Sequence, residues 1–206
     1  MRISYLIFFC VLTLALISGC KQRPSELPYL GNVDIVNGKE VKHTVGTIHH
    51  LNQDSILMTN EDFKDVIYVA DFFFTSCPSI CPRVSKEMLK IYNAVKDDPH
   101  VKLVSFTIDP VRDTPHRLKL YADNLKVDHQ KWYFLTGDKD ATFKLADTYF
   151  VTAYEDADVP GGFDHSGKII LIDKDGHVRS YSEGTEPQST PKLIEDIKIL
   201  SDSYKR

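Results

Sequence analysis

Val66-Ile67-Tyr68-Val69-Ala70-Asp71-Phe72-Phe73-Phe74, followed at once by Thr75-Ser76-Cys77-Pro78-Ser79-Ile80-Cys81-Pro82, decides the fold class of this chain. The first nine residues are β-prone and nearly all apolar, as expected of a strand covered on both faces. Beyond the cysteines, Val84, Met88, Ile91, Tyr92 and Val95 recur at helical spacing and predict an amphipathic helix over about 82–96. A buried strand that feeds a helix belongs to an α/β domain. The two cysteines fall at the carboxyl end of that strand, where ligands usually bind in open α/β sheets.

The same alternation extends outward. Val33-Asp34-Ile35-Val36-Asn37-Gly38-Lys39-Glu40-Val41 predicts an N-terminal β-hairpin around an Asn-Gly turn. A short apolar piece, Thr47-Ile48, leads into His49-His50. Residues 101–108 read as the next strand, and Thr114-Pro115 as an N-cap with proline at the first helical position. Leu118, Tyr121, Ala122 and Leu125 supply one face of that helix. A short strand over 132–135 and a helix over about 140–150 follow. Residues 169–172 and 178–181, joined by Asp173-Lys174-Asp175-Gly176, predict an inserted hairpin. Thr190-Pro191 repeats the capping device ahead of Leu193, Ile194, Ile197 and Leu200. The expected architecture is a central mixed sheet flanked by helices.

Targeting chemistry sets two of the four cysteines aside. Residues 1–20 hold one charge, Arg2, then an apolar run from Tyr5 to Ile17 broken only by Thr13. That is a secretory signal and is short for a membrane span. Cys10 lies inside the run, and Ile17-Ser18-Gly19-Cys20 has the form of a lipoprotein cleavage site. The expected organisation is a signal peptide over 1–19, a lipid anchor on Cys20 with a polar tether to residue 28, and one domain over 29–206. Export places the thiols where oxidation is common. Removing Arg2 from the 25 basic residues leaves 24 against 29 acidic ones, a net of −5. The two signs are interspersed with no basic stripe, so nucleic acid is not an expected partner.

Cys77 and Cys81 therefore remain as the reactive pair, and their spacing leaves three possibilities open: a disulfide staple, a redox couple or a metal site. A helix N-terminus favours thiolate over thiol. Four-residue spacing on a helical turn would turn both sulfurs to one point. A permanent disulfide here closes a very small loop and constrains the unfolded chain weakly. Two thiolates suit soft or borderline ions, chiefly Cu(I) and Zn(II). A closed zinc site takes four protein ligands and no second cysteine pair follows, whereas Cu(I) accepts two or three.

Histidine is the expected further ligand. His43, His100, His116, His129 and His177 sit in polar or turn-like contexts, and His49-His50 lacks metal-ligand spacing. His165 stands apart, in the glycine-rich segment Pro160-Gly161-Gly162-Phe163-Asp164-His165-Ser166-Gly167 that opens into the Ile169 strand.

Three blocks resemble the Sco (SenC/PrrC-type) family of copper-binding assembly factors for cytochrome c oxidase. They are Phe72 to Pro82 as quoted, then Ser105-Phe106-Thr107-Ile108-Asp109-Pro110-Val111-Arg112-Asp113-Thr114-Pro115, then Asp164-His165-Ser166 before Ile169-Ile170-Leu171-Ile172-Asp173. The resemblance implies a thioredoxin-like fold with Cys77, Cys81 and His165 as copper ligands, for Cu(I) and also Cu(II). It implies delivery of copper to an oxidase subunit, a thiol-reducing partner, and a membrane reached through the Cys20 lipid. Asp109 and Asp113 are expected to shape the loop beside the site, Asp109-Pro110 ending a strand and Asp113 preceding the Thr114 cap. Asp164 is expected either to orient His165 by accepting from its ring or to be a turn residue. The alternative function is a thiol–disulfide oxidoreductase that uses Cys77 and Cys81 as a redox couple and needs no metal. A thiol peroxidase would need a threonine and an arginine around a single cysteine of low pKa; Thr75 is near, but Arg83 follows the second cysteine and fits poorly.

Overall fold

The computed structural model describes residues 26–205. The expected signal peptide, the expected anchor Cys20 and most of the expected tether lie outside them. Strands β1 (Val33–Val36) and β2 (Lys39–Lys42) form the expected hairpin. Asn37 and Gly38 both take positive φ, the backbone of the tight turn that Asn-Gly favours. This hairpin stands apart from the main sheet and leaves Ile35 68 % exposed.

The sheet itself begins with β3 (His49–Asn52), β4 (Leu57–Thr59) and β5 (Ile67–Phe73). Helix α1 (Cys81–Val95) then leads to β6 (Val101–Thr107), and α2 (Pro115–Leu125) to β7 (Trp132–Thr136). After α3 (Lys139–Thr148) come two three-residue strands, β8 (Ala153–Glu155) and β9 (Phe163–His165). Strands β10 (Lys168–Ile172) and β11 (Val178–Glu183) and helix α4 (Thr190–Tyr204) complete the described chain.

The spatial order is β11-β10-β5-β6-β7-β3-β4. Strand β5 is the third of the seven, parallel to β6 in the register Ile67↔Val101 to Phe73↔Thr107 and antiparallel to β10. All seven of its residues are buried, which explains its nearly continuous apolar character, broken only by Asp71, whose carboxylate accepts from the Ser105 hydroxyl. The hairpin expected over 169–181 forms, and it is integral to the sheet: β10 pairs with β5 and β11 lies outside it. Val84, Met88, Ile91 and Val95 face the core from α1 as their spacing requires. Full burial of each such side chain contributes about 1.5–3 kcal/mol.

Buried polar groups join the loops at the carboxyl ends of these strands. Asp113, fully buried, accepts from the Thr75 backbone N–H at 2.9 Å, the Thr75 hydroxyl at 2.5 Å and the Thr107 hydroxyl at 2.6 Å. Thr114 caps α2 by accepting from the Arg117 N–H, as its sequence predicts. Thr190 does not repeat that device. It is the first helical residue of α4, and its hydroxyl donates to buried Glu87 on α1 at 2.7 Å. His50 is also structural: it points inward from β3 and bonds the Thr142 hydroxyl at 2.9 Å. Burial, with His49 beside it, lowers its pKa to about 4.

Candidate metal centre

The chain leaves β5 at Phe74, turns through a Cys77 N–H bond to the Phe74 carbonyl, and enters α1 at Cys81. The expected helical turn through both cysteines is absent. Cys77 precedes Pro78, whose ring disfavours helical backbone at the residue before it. The sulfurs are instead brought together by a loop that folds back onto the first turn of α1, with Pro82 at a position where proline is tolerated.

His165 comes from a different part of the chain. It ends β9, which pairs only with β8 in a small hairpin outside the main sheet, in the register Ala153↔His165. Its Nε2 lies 3.4 Å from the Cys81 sulfur. Cys77, Cys81 and His165 are all buried, and their donor atoms lie within 4.8 Å of one another. Two donors bonded to one ion at ~2.0–2.3 Å sit about 4 Å apart, so the cluster fits a single ion with little contraction. The Nδ1 of His165 contacts the Ser166 carbonyl at 3.3 Å. A carbonyl only accepts, so the Nδ1–H tautomer makes that contact and leaves the Nε2 lone pair for a metal, whereas the Nε2–H tautomer donates towards the thiols.

The two thiols are made unlike by their own contact. Cys77 is lowered to about 3, chiefly because the Cys81 side chain donates to it, with His165, the Cys81 backbone N–H and Ser79 adding to the effect against burial. Cys81 is raised, first because its proton is held by Cys77 and then by burial. Cys77 is therefore the thiolate and Cys81 the thiol.

The two carboxylates expected around the site do other work. Asp164 does not orient His165: its side chain is exposed and accepts from the Tyr154 hydroxyl at 2.9 Å. It alternates with His165 along β9, so the two side chains point to opposite faces. Asp109 is buried and its carboxylate pairs with Arg112. Arg112 in turn donates to the Gly161 carbonyl at 2.7 Å, in the loop ahead of His165. Sequence reasoning assigned Arg112 no role; only its place in the Asp109–Asp113 block hinted at one. The guanidinium against Thr75 is that of Arg117, at 2.7 Å, while Arg83 is exposed.

A parallel-centred sheet with a thiol pair at the strand-to-helix junction defines a thioredoxin-like domain, and the third donor distinguishes it within that class. The SCO1/SenC family model matches residues 37–201, and the chain belongs to that family. A SCO1/SenC family lipoprotein from Bacillus anthracis is similar at 28% identity and TM-score 0.70, covering 77% of this chain and 95% of that one. BsSco, described through a disulfide switch and as a member of the Sco family of cytochrome c oxidase assembly proteins, is 30% identical with TM-score 0.66, covering 77% and 94%. ScoI of Bradyrhizobium japonicum with copper bound is 26% identical with TM-score 0.64, covering 76% and 99%.

The asymmetry of the thiols has a measurable consequence. A group lowered to about 3 is already thiolate throughout the neutral range. Iodoacetamide is expected to label Cys77 first in the reduced protein, at a rate nearly flat from pH 5 to 8. An ordinary thiol, with a pKa of ~8.5, would gain about tenfold per pH unit there. Labelling of Cys77 that climbs in that way contradicts the assignment.

Proposed function

We propose that this exported, lipid-held domain binds copper through Cys77, Cys81 and His165 and hands it to a cytochrome c oxidase subunit during assembly. One observation carries the proposal: two sulfurs and one imidazole nitrogen from separate elements converge in a buried cluster. Two thiolates and one neutral imidazole form a soft donor set suited to Cu(I), and imidazole also suits Cu(II). A structural zinc site would take a fourth protein ligand. Among the described residues the cluster has three members, which suits cargo better than a permanent ion. An incomplete shell leaves room for an incoming ligand from the acceptor. Copper bound to the Bradyrhizobium relative and the oxidase-assembly family of BsSco support the same reading.

Binding needs both thiols deprotonated, so loading releases the Cys81 proton and metal affinity falls on acidification. The expected titration of the full-length reduced protein gives one copper per chain, and His165→Ala weakens Cu(I) binding by at least ~10-fold. Unchanged affinity in that variant removes His165 from the site.

The thiol asymmetry favours a second activity at the same residues. The Cys77 thiolate attacks one sulfur of a partner disulfide, releasing the other as a thiolate. Cys81 then loses its proton and attacks Cys77, which frees the partner's second thiolate and leaves a Cys77–Cys81 disulfide. Two electrons pass to the partner, which takes up two protons overall, and a separate reductant must restore the pair. Cys81→Ser is expected to accumulate a mixed disulfide with an oxidised acceptor peptide, and Cys77→Ser to accumulate none. Trapping by Cys77→Ser alone would reverse the roles.

A further inference from the structure

The third donor is the least firmly built part of the cluster. Strand β9 has three residues, pairs with an equally short β8, and makes no ladder with the central sheet. Two short strands alone are marginally stable, so something else must hold His165 against sulfurs that belong to the sheet. In the segment just ahead of it, Val159-Pro160-Gly161-Gly162, Gly161 packs against the ring of Phe74, the residue at which the chain leaves β5. Gly161 has φ +99°, and a Cβ there would come within 2.8 Å of the Phe74 ring. The backbone therefore approaches the aromatic side chain closely and at a positive φ, where glycine is favoured.

Arg112 spans this contact. It extends from the loop between β6 and α2, and its Nε is paired with the Asp109 carboxylate, whose side chain is 4% exposed. Its other arm donates to the Gly161 carbonyl at 2.7 Å. The guanidinium carbon lies 5.9 Å from the Phe74 ring centre and 5.8 Å from that of Phe163. The two rings are 5.3 Å apart, and Phe74 meets the His165 ring edge-on at 6.0 Å. One planar cation thus joins a buried carboxylate, the loop backbone, and the paired rings of Phe74 and Phe163, of which Phe74 meets the imidazole. A fork of this kind is pre-organised, and lysine cannot reproduce both arms.

We propose that Arg112 is a positioning residue for the metal centre. Anchored by Asp109, it holds the β8–β9 hairpin by the Gly161 carbonyl and so sets the distance between His165 and the thiol pair. The proposal rests on the copper-binding reading and adds that His165 contributes its full affinity only while Arg112 bridges the two loops. The ion pair of Lys139 with Glu155 on β8, at 2.7 Å, lies at the far strand of the hairpin and does not replace that bridge.

The test is a double-mutant cycle on the full-length reduced protein, with Cu(I) affinity read by competition against a chromophoric chelator. Arg112→Ala is expected to weaken binding by about tenfold, the scale of an outer partner that orients a ligand. Arg112→Lys is expected to recover part of the loss, and Arg112→Ala is expected to cost little more once His165→Ala is present. Equal losses from Arg112→Ala in both backgrounds, or no loss in the wild-type background, overturn the proposal. Should His165→Ala leave copper affinity unchanged, the copper role of His165 fails and the metal-free protein decides on Arg112. Amide hydrogens over residues 153–166 then exchange about tenfold faster in Arg112→Ala if Arg112 holds the hairpin. Unchanged exchange overturns the latch without reference to copper.

Discussion

The carboxylate of Asp113 is the constraint on which the site depends. It is fully buried and gathers three hydrogen bonds from the ends of two neighbouring parallel strands, two from Thr75 after β5 and one from Thr107 on β6. Arg117 stands 3.5 Å away and balances part of its charge. Removing one hydrogen-bond partner from such a buried group typically costs about 1–3 kcal/mol, because what remains stays desolvated. The geometric effect matters more than the energy. Fixing Thr75 fixes the direction in which the chain leaves the sheet, and the thiol loop starts two residues later.

From that fixed point the cluster is assembled by two unlike routes. The sulfurs are set by local chain geometry: a turn closed on the Phe74 carbonyl, a proline after each cysteine, and the first turn of α1. The imidazole arrives on a small hairpin, held by its packing against Phe74 and by the loop contacts of Arg112. A rigid pair of soft donors with a more loosely tethered third suits cargo that must be both held and released. The same close contact that offers two sulfurs to an ion also separates their acidities, so metal binding and disulfide exchange draw on one feature. Oxidation of the pair to a disulfide would remove both sulfur donors at once, which makes the two chemistries mutually exclusive at any moment.

Strand β5 and helix α1 were legible because burial on two faces and burial on one face leave different periodicities in the sequence. The hairpin at Asn37-Gly38 was legible for a local reason, the positive φ its turn requires. Strands β3, β4, β8 and β9 were not, since three or four residues with mixed polarity carry no period. Among site residues, Cys77, Cys81 and His165 stood out by chemistry and by their neighbours. The orientation of Asp164 depends on strand alternation, which becomes visible only once β9 is known to be a strand. Arg112 was hidden for a deeper reason: its partner Gly161 lies 49 residues further along the chain, and only the fold joins that loop to the Asp109 carboxylate. Thr190 misled because Thr-Pro reads the same at a cap and one residue inside a helix.

The central claim is that one copper ion is held by two sulfurs and one imidazole nitrogen. X-ray absorption at the copper edge of the reduced, Cu(I)-loaded protein measures that shell directly. The account predicts two sulfur scatterers and one nitrogen scatterer with the outer-shell signature of an imidazole ring, the latter absent in His165→Ala. A shell of sulfur alone in the wild-type protein, identical to that of His165→Ala, would contradict it.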